Sequence, residues 1–416
     1  MKISLIQPSR NNLKYLKWSY NSIRKNQGDH EVEICVADDF SDKDNTWEWC
    51  QQTMKKDPLF KAIRNEGPKR LGHTILYDTL VNEVATNDIC MIYHADMYLC
   101  PGALDAIESN MFNTTHTGDA LYRQPIEKVI VSLTRIEPPL HPDGPEKILK
   151  DFGIETEEFK EQELLDFLSS RVPNNDTTEG IFAPWAFWKK DFQEIGGHDV
   201  IFAPQSKEDT DIFNRFHLNG IKFIQTWGGC VYHMTCRGSR FADGAQRNPN
   251  GEVFMKNRET DEWLTQNKKS TREFIRKWGH FCKHDELMKP IVPSKYDIGI
   301  CIKNCSNEVL EVLEPWCNII YTDANIDTYI SKESSKTSFD LSARVKNIDT
   351  QYTQGAHDII LEIDAARFYN TDMQVIEQIS EIISDSADIG EFEIGNIKLL
   401  INDLSKYEKD LIVCKN

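Results

Sequence analysis

The stretch Ile89-Cys90-Met91-Ile92-Tyr93-His94-Ala95-Asp96 runs from five hydrophobic residues into a histidine and an aspartate. A short hydrophobic run without alternation indicates a strand that is buried on both faces of a sheet. A helical pattern over His73–Ala85 precedes it, and the apolar runs Ile3–Ile6 and Val32–Ala37 are followed by helical patterns. Strands that alternate with helices predict an α/β fold with a mostly parallel, helix-covered sheet.

Polar residues follow each of these predicted strands. In a parallel sheet the carboxyl ends of the strands meet at one edge, and ligands bind in the crevice beyond that edge. We therefore expect one crevice that is lined by four segments, Pro8–Asn11, Asp38–Asp39, Arg64–Arg70 and His94–Asp96.

Candidate ligands for a cation or a phosphate occur at two places. The carboxylate of Asp96 comes directly after a buried strand, and hard divalent cations prefer oxygen ligands, although the triplet could equally be a solvated turn. His233 ends another predicted strand, where it is either a metal ligand or a hydrogen-bonded strand-end histidine. The cations Arg237, Arg240 and Arg247 follow in a glycine-rich loop and are candidates for phosphate binding.

A further helical pattern begins with two adjacent acids, Glu208 and Asp209. With Ser206 as the N-cap, Asp209 occupies the capping-box position, and acids in the first turn complement the helix dipole. The other interpretation is a carboxylate that points into the crevice and acts as a general base. The spacing alone leaves both interpretations open.

These segments, in this order, resemble the family 2 glycosyltransferases of the GT-A fold. The first acid of the family's DxD triplet is replaced in this chain by His94. The matching stretches are Ser4–Asn11 (the opening strand), Val36–Asp42 (the nucleotide-binding turn), Asn65–Gly67 with Arg70, His94–Asp96 (the triplet), and Ile195–Asp199 with Asp209, Asp211 and Arg215 (the GG-D…ED-D…R segment).

The resemblance implies an inverting, metal-dependent glycosyltransferase, that is, a hexosyl- or pentosyltransferase. The donor would be a nucleotide-diphosphate sugar, with a UDP-sugar expected, and the acceptor a hydroxyl on a glycan, a lipid or another molecule. It implies Asp209 as the catalytic base with Glu208 beside it, and a Mn²⁺ or Mg²⁺ ion on Asp96 and His233. The implied donor-binding residues are Pro8, Ser9, Arg10, Asp38, Asp39, Asn65, Arg70, His94, Ala95 and Arg237.

Aromatic residues offer a surface for the acceptor. We expect the acceptor to lie against Trp185, Phe187, Trp188 and the proline-rich loop 138–145, unless these aromatic side chains are plain core.

The charge of the chain is unevenly distributed, which indicates a domain boundary. The 416 residues carry a formal net charge of −18. Residues 296–416 hold 10 Lys and Arg against 22 Asp and Glu, a balance of −12. We expect a GT-A catalytic domain at 1–290 and an acidic α/β or α+β domain at 296–416, which dimerises the protein or helps to place the acceptor.

Two alternatives use the same scaffold. A non-catalytic sugar-nucleotide-binding protein is favoured by His94, which replaces an acid. A glycosyltransferase that acts on a modified DNA base is favoured by residues 231–295, with 13 Lys and Arg against 8 Asp and Glu, although the overall acidity argues against nucleic-acid binding.

The sequence also bears on where the protein is found. It shows no apolar run of the roughly 18 residues that a membrane span needs, and no signal peptide. The 11 cysteines form no CxxC pair and indicate free thiols in a reducing compartment. We therefore expect a cytoplasmic protein.

Overall fold

The computed structural model describes residues 1–416 except 118–119, 172–173, 236, 238–243, 257–258, 354, 387 and 415–416. The helices are α1 (Leu13–Asn26), α2 (Thr46–Met54), α3 (His73–Thr79), α4 (Ala103–Met111), α5 (Glu161–Ser170), α6 (Lys189–Glu194), α7 (Glu208–Leu218), α8 (Asp261–Trp278), α9 (Asn307–Leu313), α10 (Ile326–Glu333), α11 (Leu341–Arg344), α12 (Ile348–Gln351), α13 (Asn370–Glu377) and α14 (Ile379–Ser386). Among the residues that the structure describes, none of the helices combines the length and apolar character that crossing a membrane requires.

The strands form two large sheets and two small hairpins. In chain order they are β1 (Lys2–Ser9), β2 (Glu31–Asp38), β3 (Phe60–Arg64), β4 (Ile89–Ile92), β5 (Met97–Leu99), β6 (Phe112–Thr117), β7 (Ala120–Pro125), β8 (Val129–Glu137), β9 (Lys147–Leu149), β10 (Thr177–Thr178), β11 (Trp185–Trp188), β12 (Lys222–His233), β13 (Ala245–Arg247), β14 (Val253–Met255), β15 (Ile298–Lys303), β16 (Ile319–Thr322), β17 (Val345–Asn347), β18 (Ile359–Asp364), β19 (Gly390–Ile394) and β20 (Ile397–Ile401).

The first sheet has the order β10-β12-β8-β11-β4-β1-β2-β3, with β5 paired to β12 and β9 paired to β8. The strands β3, β2, β1 and β4 are parallel, as are β8 and β12. The antiparallel strand β11 joins these two parts. The predicted α/β class and the mostly parallel sheet are therefore confirmed.

One central strand was missed by the sequence analysis, which made no prediction for residues 129–137. All nine residues of β8 are buried, and the strand lies between β11 and β12. The flanking segments are irregular in sequence, and this obscures a strand whose last three residues, Arg135-Ile136-Glu137, include two charges.

The aromatic side chains of β11 belong to the core. Trp185, Phe187 and Trp188 are at most 8% exposed. Trp185 packs edge-on against Phe213 and Phe216 of α7, with ring centroids 5.6 and 5.9 Å apart. These three residues are therefore part of the core and do not form a surface that could bind the acceptor.

A second domain with a sheet of its own follows, in the order β17-β16-β15-β18-β20-β19. Strands β15 to β18 are parallel, and β20 runs antiparallel to both β18 and β19. Residues Glu408–Leu411 form a 3₁₀ turn, and the backbone N–H of Cys414 donates to the carbonyl of Ile195 in the first domain at 3.1 Å. The boundaries 1–290 and 296–416 stay predictions.

Helix α8 connects the two sheets through a buried ion cluster around Glu314. This carboxylate is fully buried and accepts hydrogen bonds from Arg276 of α8 at 2.6 Å and from Arg344 at 2.6 Å. The hydroxyl of Tyr329 donates to it at 3.3 Å. A buried carboxylate is tolerated only with such partners, so this cluster fixes α8 against the second domain.

We predict that Glu314→Ala lowers the free energy of unfolding by about 3 kcal/mol, because it leaves the buried guanidinium of Arg276 without a main partner. Urea denaturation would measure the change. Glu311→Ala is the matched control. The ion pairs of Glu311 among the described residues are with the exposed amines of Lys268 and Lys332, so this variant should cost less than about 1 kcal/mol. Equal losses in the two variants would contradict the prediction.

Candidate active site

A cleft of about 810 Å³ opens beyond the carboxyl ends of the strands of the first sheet. Of the predicted site residues, Asp38 and Asn65 do not line it. The predicted site residues that do line it are Pro8, Ser9, Arg10, Asp39, Arg70, His94, Ala95, Asp96, Glu208, Asp209, His233 and Arg237. The structure therefore brings most of the predicted site together in one cavity.

Two imidazoles and a carboxylate meet at the floor of this cleft. The ligand atoms of His94, Asp96 and His233 all lie within 4.8 Å of one another, and His233 Nε2 is 3.5 Å from Asp96 Oδ1. The pairing of β12 with β5 produces this arrangement, because His233 lies opposite Met97, the residue after Asp96. The residues fit a divalent transition-metal ion such as Mn²⁺, for which imidazole and carboxylate are common ligands.

The pKa values of all three groups are shifted from their ordinary values. Burial and the neighbouring His233 lower the pKa of His94 to about 4, so His94 is neutral at pH 7. Burial also disfavours the charged form of His233, but Asp96 and Glu137 outweigh it and raise its pKa to about 9. Burial raises the pKa of Asp96, and the histidines beside it lower the pKa by more, which keeps the carboxylate ionised.

Asp39 holds the loop that forms one wall of the cleft. Its carboxylate accepts hydrogen bonds from the backbone N–H groups of Leu71 and Gly72, each at 2.9 Å, and from the Asn65 amide at 2.8 Å. At Gly72 the φ angle is +82°, and a Cβ there would lie 2.1 Å from the carbonyl oxygen of Pro204, so only glycine fits. Asp39 and Asn65 thus shape the wall.

Asp38 is fully buried behind this wall. The backbone N–H of Ser41 donates to Asp38 Oδ1 at 3.1 Å, and the Arg64 guanidinium lies 3.3 Å from Oδ2. Burial raises the pKa of this carboxyl, and the bonds from Ser41 and the charge of Arg64 offset part of the effect.

The start of α7 differs from the predicted capping box. Lys207 is the N-cap residue, and both Ser206 (φ +82°) and Lys207 (φ +72°) have left-handed backbone conformations. The Ser206 hydroxyl donates to Asn267 at 2.7 Å, so the prediction that Ser206 caps the helix is wrong. Strained backbone of this kind is concentrated at functional sites, and here it holds the two acids in the cleft.

Glu208 and Asp209 occupy different environments in the cleft. The Glu208 side chain is buried, whereas that of Asp209 is exposed to the cavity. Burial and the adjacent Asp209 raise the pKa of Glu208 to about 8, and the surrounding protein also raises the pKa of Asp209. We assign the shared proton to Glu208, because its side chain is the buried one, and this leaves Asp209 as the ionised carboxylate.

The comparison with known families identifies the domain that carries the floor of the cleft. Residues 4–195 match the family described as glycosyl transferase family 2. The match covers a little under half of the chain. The resemblance predicted from the sequence is confirmed for these residues. Within the matched segment lie His94 and Asp96, while Glu208, Asp209 and His233 come later in the chain.

Comparison with curated proteins and with solved structures finds only distant similarity. The curated proteins contain no significant match. Among solved structures, the chain is similar to GalNAc-T7 with UDP, GalNAc and Mn²⁺, at 12% identity and a TM-score of 0.43 over 67% of this chain and 51% of that one. It is also similar to S. aureus TarS 1–349 in complex with UDP-GlcNAc, at 14% identity and a TM-score of 0.37 over 57% and 62%. The chain thus spans half to three fifths of these proteins.

Two of the cations that follow His233 pair with acids of the segment 4–195. Arg237 lines the cleft and pairs with Glu155 at 3.1 Å. Arg247 is held by Asp151 and Glu158 at 2.6 and 2.9 Å, which makes it a structural residue rather than a phosphate ligand. Arg240 lies outside the described residues.

The sequence analysis missed four charged residues of the cleft that lie in β8, in β9 or directly before β9, because neither strand was predicted. These residues are Arg135, Glu137, Glu146 and Lys147. The available signal was the apolar run Val129–Leu133, which indicates a buried strand with charges at its carboxyl end.

The buried acid at the start of α7 predicts a pH dependence of stability. Because the pKa of Glu208 is about 8 in the folded protein and near 4.3 in an unfolded chain, ionisation opposes folding. The contribution of Glu208 to stability should therefore be greatest below pH 4 and fall, by up to about 1.4 kcal/mol per pH unit, as the pH rises to 8.

This pH dependence is measured as the difference between the wild type and Glu208→Gln in urea denaturation at each pH. The glutamine variant removes the titration, so the wild type should lose stability relative to it between pH 5 and 8. A difference that does not change with pH would contradict the raised pKa.

Proposed function

We propose that the protein is an inverting, metal-dependent glycosyltransferase that transfers a sugar from a UDP-sugar to an acceptor hydroxyl. The observation that carries the proposal is the cleft itself. It combines the His94, Asp96 and His233 cluster with the acids Glu208 and Asp209 in a chain whose first part is a family 2 domain. Tyr77 lines the same cleft, and burial together with the charges of Asp209, Glu208 and Asp96 raises its pKa.

The floor of the cleft is suited to binding a diphosphate leaving group. A divalent cation held by His94, Asp96 and His233 would neutralise the charge that develops on the diphosphate as the sugar departs. Arg10 and Arg70 line the same cleft, and Arg70 is fixed by Gln205 through a hydrogen bond of 2.7 Å. Pro8 and Ser9 at the end of β1 would bind the nucleotide in front of them.

Asp209 is the proposed general base. Its exposed carboxylate would take the proton from the acceptor hydroxyl, while the neighbouring Glu208 holds a proton at neutral pH. Attack by this hydroxyl on the anomeric carbon, opposite the leaving diphosphate, inverts the configuration in a single displacement. The left-handed backbone at Ser206 and Lys207 fixes the direction of both side chains.

The acidic domain at 296–416 has a proposed supporting role. It holds α8 through Glu314, and the next residues of α8, Lys277 and Trp278, both bind Asp211 of α7, at 2.6 and 2.9 Å. The second domain therefore supports the helix that presents Asp209. Homodimerisation through this domain and a cytoplasmic location stay predictions.

Donor and metal binding test the proposed function. We expect the melting temperature of the wild type to rise with a UDP-sugar only when Mn²⁺ or Mg²⁺ is present, because the ligand stabilises the folded state by mass action. Asp96→Ala should abolish the metal-dependent rise. The control Glu163→Ala, an exposed acid on α5, should retain it.

The same measurements separate the alternatives. Binding of a UDP-sugar without release of UDP, in the presence of any acceptor, would favour a non-catalytic binding protein. A melting temperature that responds to neither donor nor metal would contradict the proposed function.

A rate measurement tests the roles of the two adjacent acids. Asp209→Asn should lower kcat by about 10²- to 10⁴-fold with unchanged donor affinity, because the general base is lost. Glu208→Gln should keep kcat within roughly tenfold of the wild type, since glutamine resembles the protonated acid. UDP release with and without acceptor would measure both. The reverse order of the two losses would assign the base to Glu208.

A further inference from the structure

The structure places a carboxylate directly behind His233. Strands β8 and β12 are parallel, with Tyr232 opposite Ile136, so their last residues, His233 and Glu137, are neighbours on the same face of the sheet. Glu137 Oε1 lies 2.8 Å from His233 Nδ1. On its other side, His233 neighbours β5 and Asp96. Three adjacent strands thus align Glu137, His233 and Asp96 in a row.

The hydrogen bond to Glu137 defines which nitrogen of the imidazole is left for a metal ion. An ionised carboxylate can only accept, so Nδ1 carries a hydrogen and donates it to Glu137. The other nitrogen, Nε2, is the one that lies 3.5 Å from Asp96 Oδ1. This is the nitrogen that His233 would offer to a metal ion.

Glu137 is itself rigidly held. It is only 2% exposed, and its Oε1 also accepts a hydrogen bond from Arg135 Nη1 at 3.0 Å. Lys147 Nζ lies 3.9 Å from its Oε2. The same two cations contact Glu146, at 3.4 and 3.5 Å, but Glu146 has no described contact with His233. The network therefore contains one acid that touches the histidine and one that does not.

We propose that Glu137 is a positioning residue that orients His233 and fixes its tautomer for binding of a divalent metal ion by Nε2. The inference rests on the metal site of the proposed function and deepens it. Metal-bound histidines commonly donate their second N–H to a carboxylate, which orients the ring and increases its basicity as a ligand. Loss of such a partner typically costs 10- to 100-fold in metal affinity.

Titration calorimetry with Mn²⁺ on the full chain, freed of metal by chelation, tests the inference without any substrate. Glu137→Ala should weaken Mn²⁺ binding by roughly 10- to 100-fold. Glu137→Gln should have an intermediate affinity, because its amide oxygen still accepts from Nδ1–H but carries no charge. The melting temperature of each variant, measured without metal, reports any loss of folding separately.

Glu146→Gln is the matched control. It removes one negative charge from the same network and from the same two cations, and its Mn²⁺ affinity should stay within about twofold of the wild type because it leaves the His233 bond intact. A purely structural role for Glu137 would lower the melting temperature and leave Mn²⁺ affinity unchanged, which would overturn the inference. Equal losses in the Glu146 and Glu137 variants would also overturn it.

The calorimetry distinguishes a failure of the proposed metal site from a failure of the role proposed for Glu137. If the wild type binds no Mn²⁺, the metal site of the proposed function is wrong. If the wild type binds Mn²⁺ and Glu137→Ala binds it equally well, the metal site is supported and the role of Glu137 is contradicted.

Discussion

The parallel pairing of β8 with β12 is the constraint on which the cleft depends. The pairing shifts between Thr226 and Cys230, because Trp227, Gly228 and Gly229 bulge out of β12 without partners on β8. An odd number of extra residues moves the following side chains to the opposite face of the sheet. His233 consequently becomes the neighbour of Glu137 instead of extending three residues past it. Gly229 makes the bulge possible, since a Cβ there would lie 2.8 Å from Ala106 and Leu133 side chains.

The sequence predicted the residues that follow strands better than the strands themselves. Asp96, Arg10 and Arg70 could be located because polar residues after an apolar run meet at one edge of a parallel sheet. Asp209, at the start of a helix, was assigned only through the resemblance to family 2 glycosyltransferases. Glu137 could not, because its strand was not recognised. The sequence also could not predict which site residues are buried behind the cleft and which line it. Whether Asp38 lies in the cleft or behind it depends on the path of the loop after β3, which hydrogen bonds to Asp39 determine.

The start of α7 shows why a local pattern can mislead. Ser206 and Asp209 have the spacing of a capping box, a motif that satisfies backbone N–H groups within one turn. In the structure, a contact with Asn267 of α8 takes the Ser206 hydroxyl away from this role. A tertiary contact has overridden a local preference, and the helix consequently starts with its acids directed toward the cavity. The conflict between local rule and fold occurs where the chemistry is proposed, as expected for a functional site.

Residues Ile412 and Cys414, which follow the second sheet in the chain, pack against the first domain. This affects the order in which the parts of the protein can fold. Cys414 binds the backbone of Ile195, and Ile412 packs against the core of the first sheet. These contacts join residues that are more than 200 positions apart in the sequence, with the whole second sheet formed between them. Contacts between residues so far apart in the sequence form slowly during folding. On the ribosome, this surface of the first domain is therefore covered only after the second sheet has been synthesised.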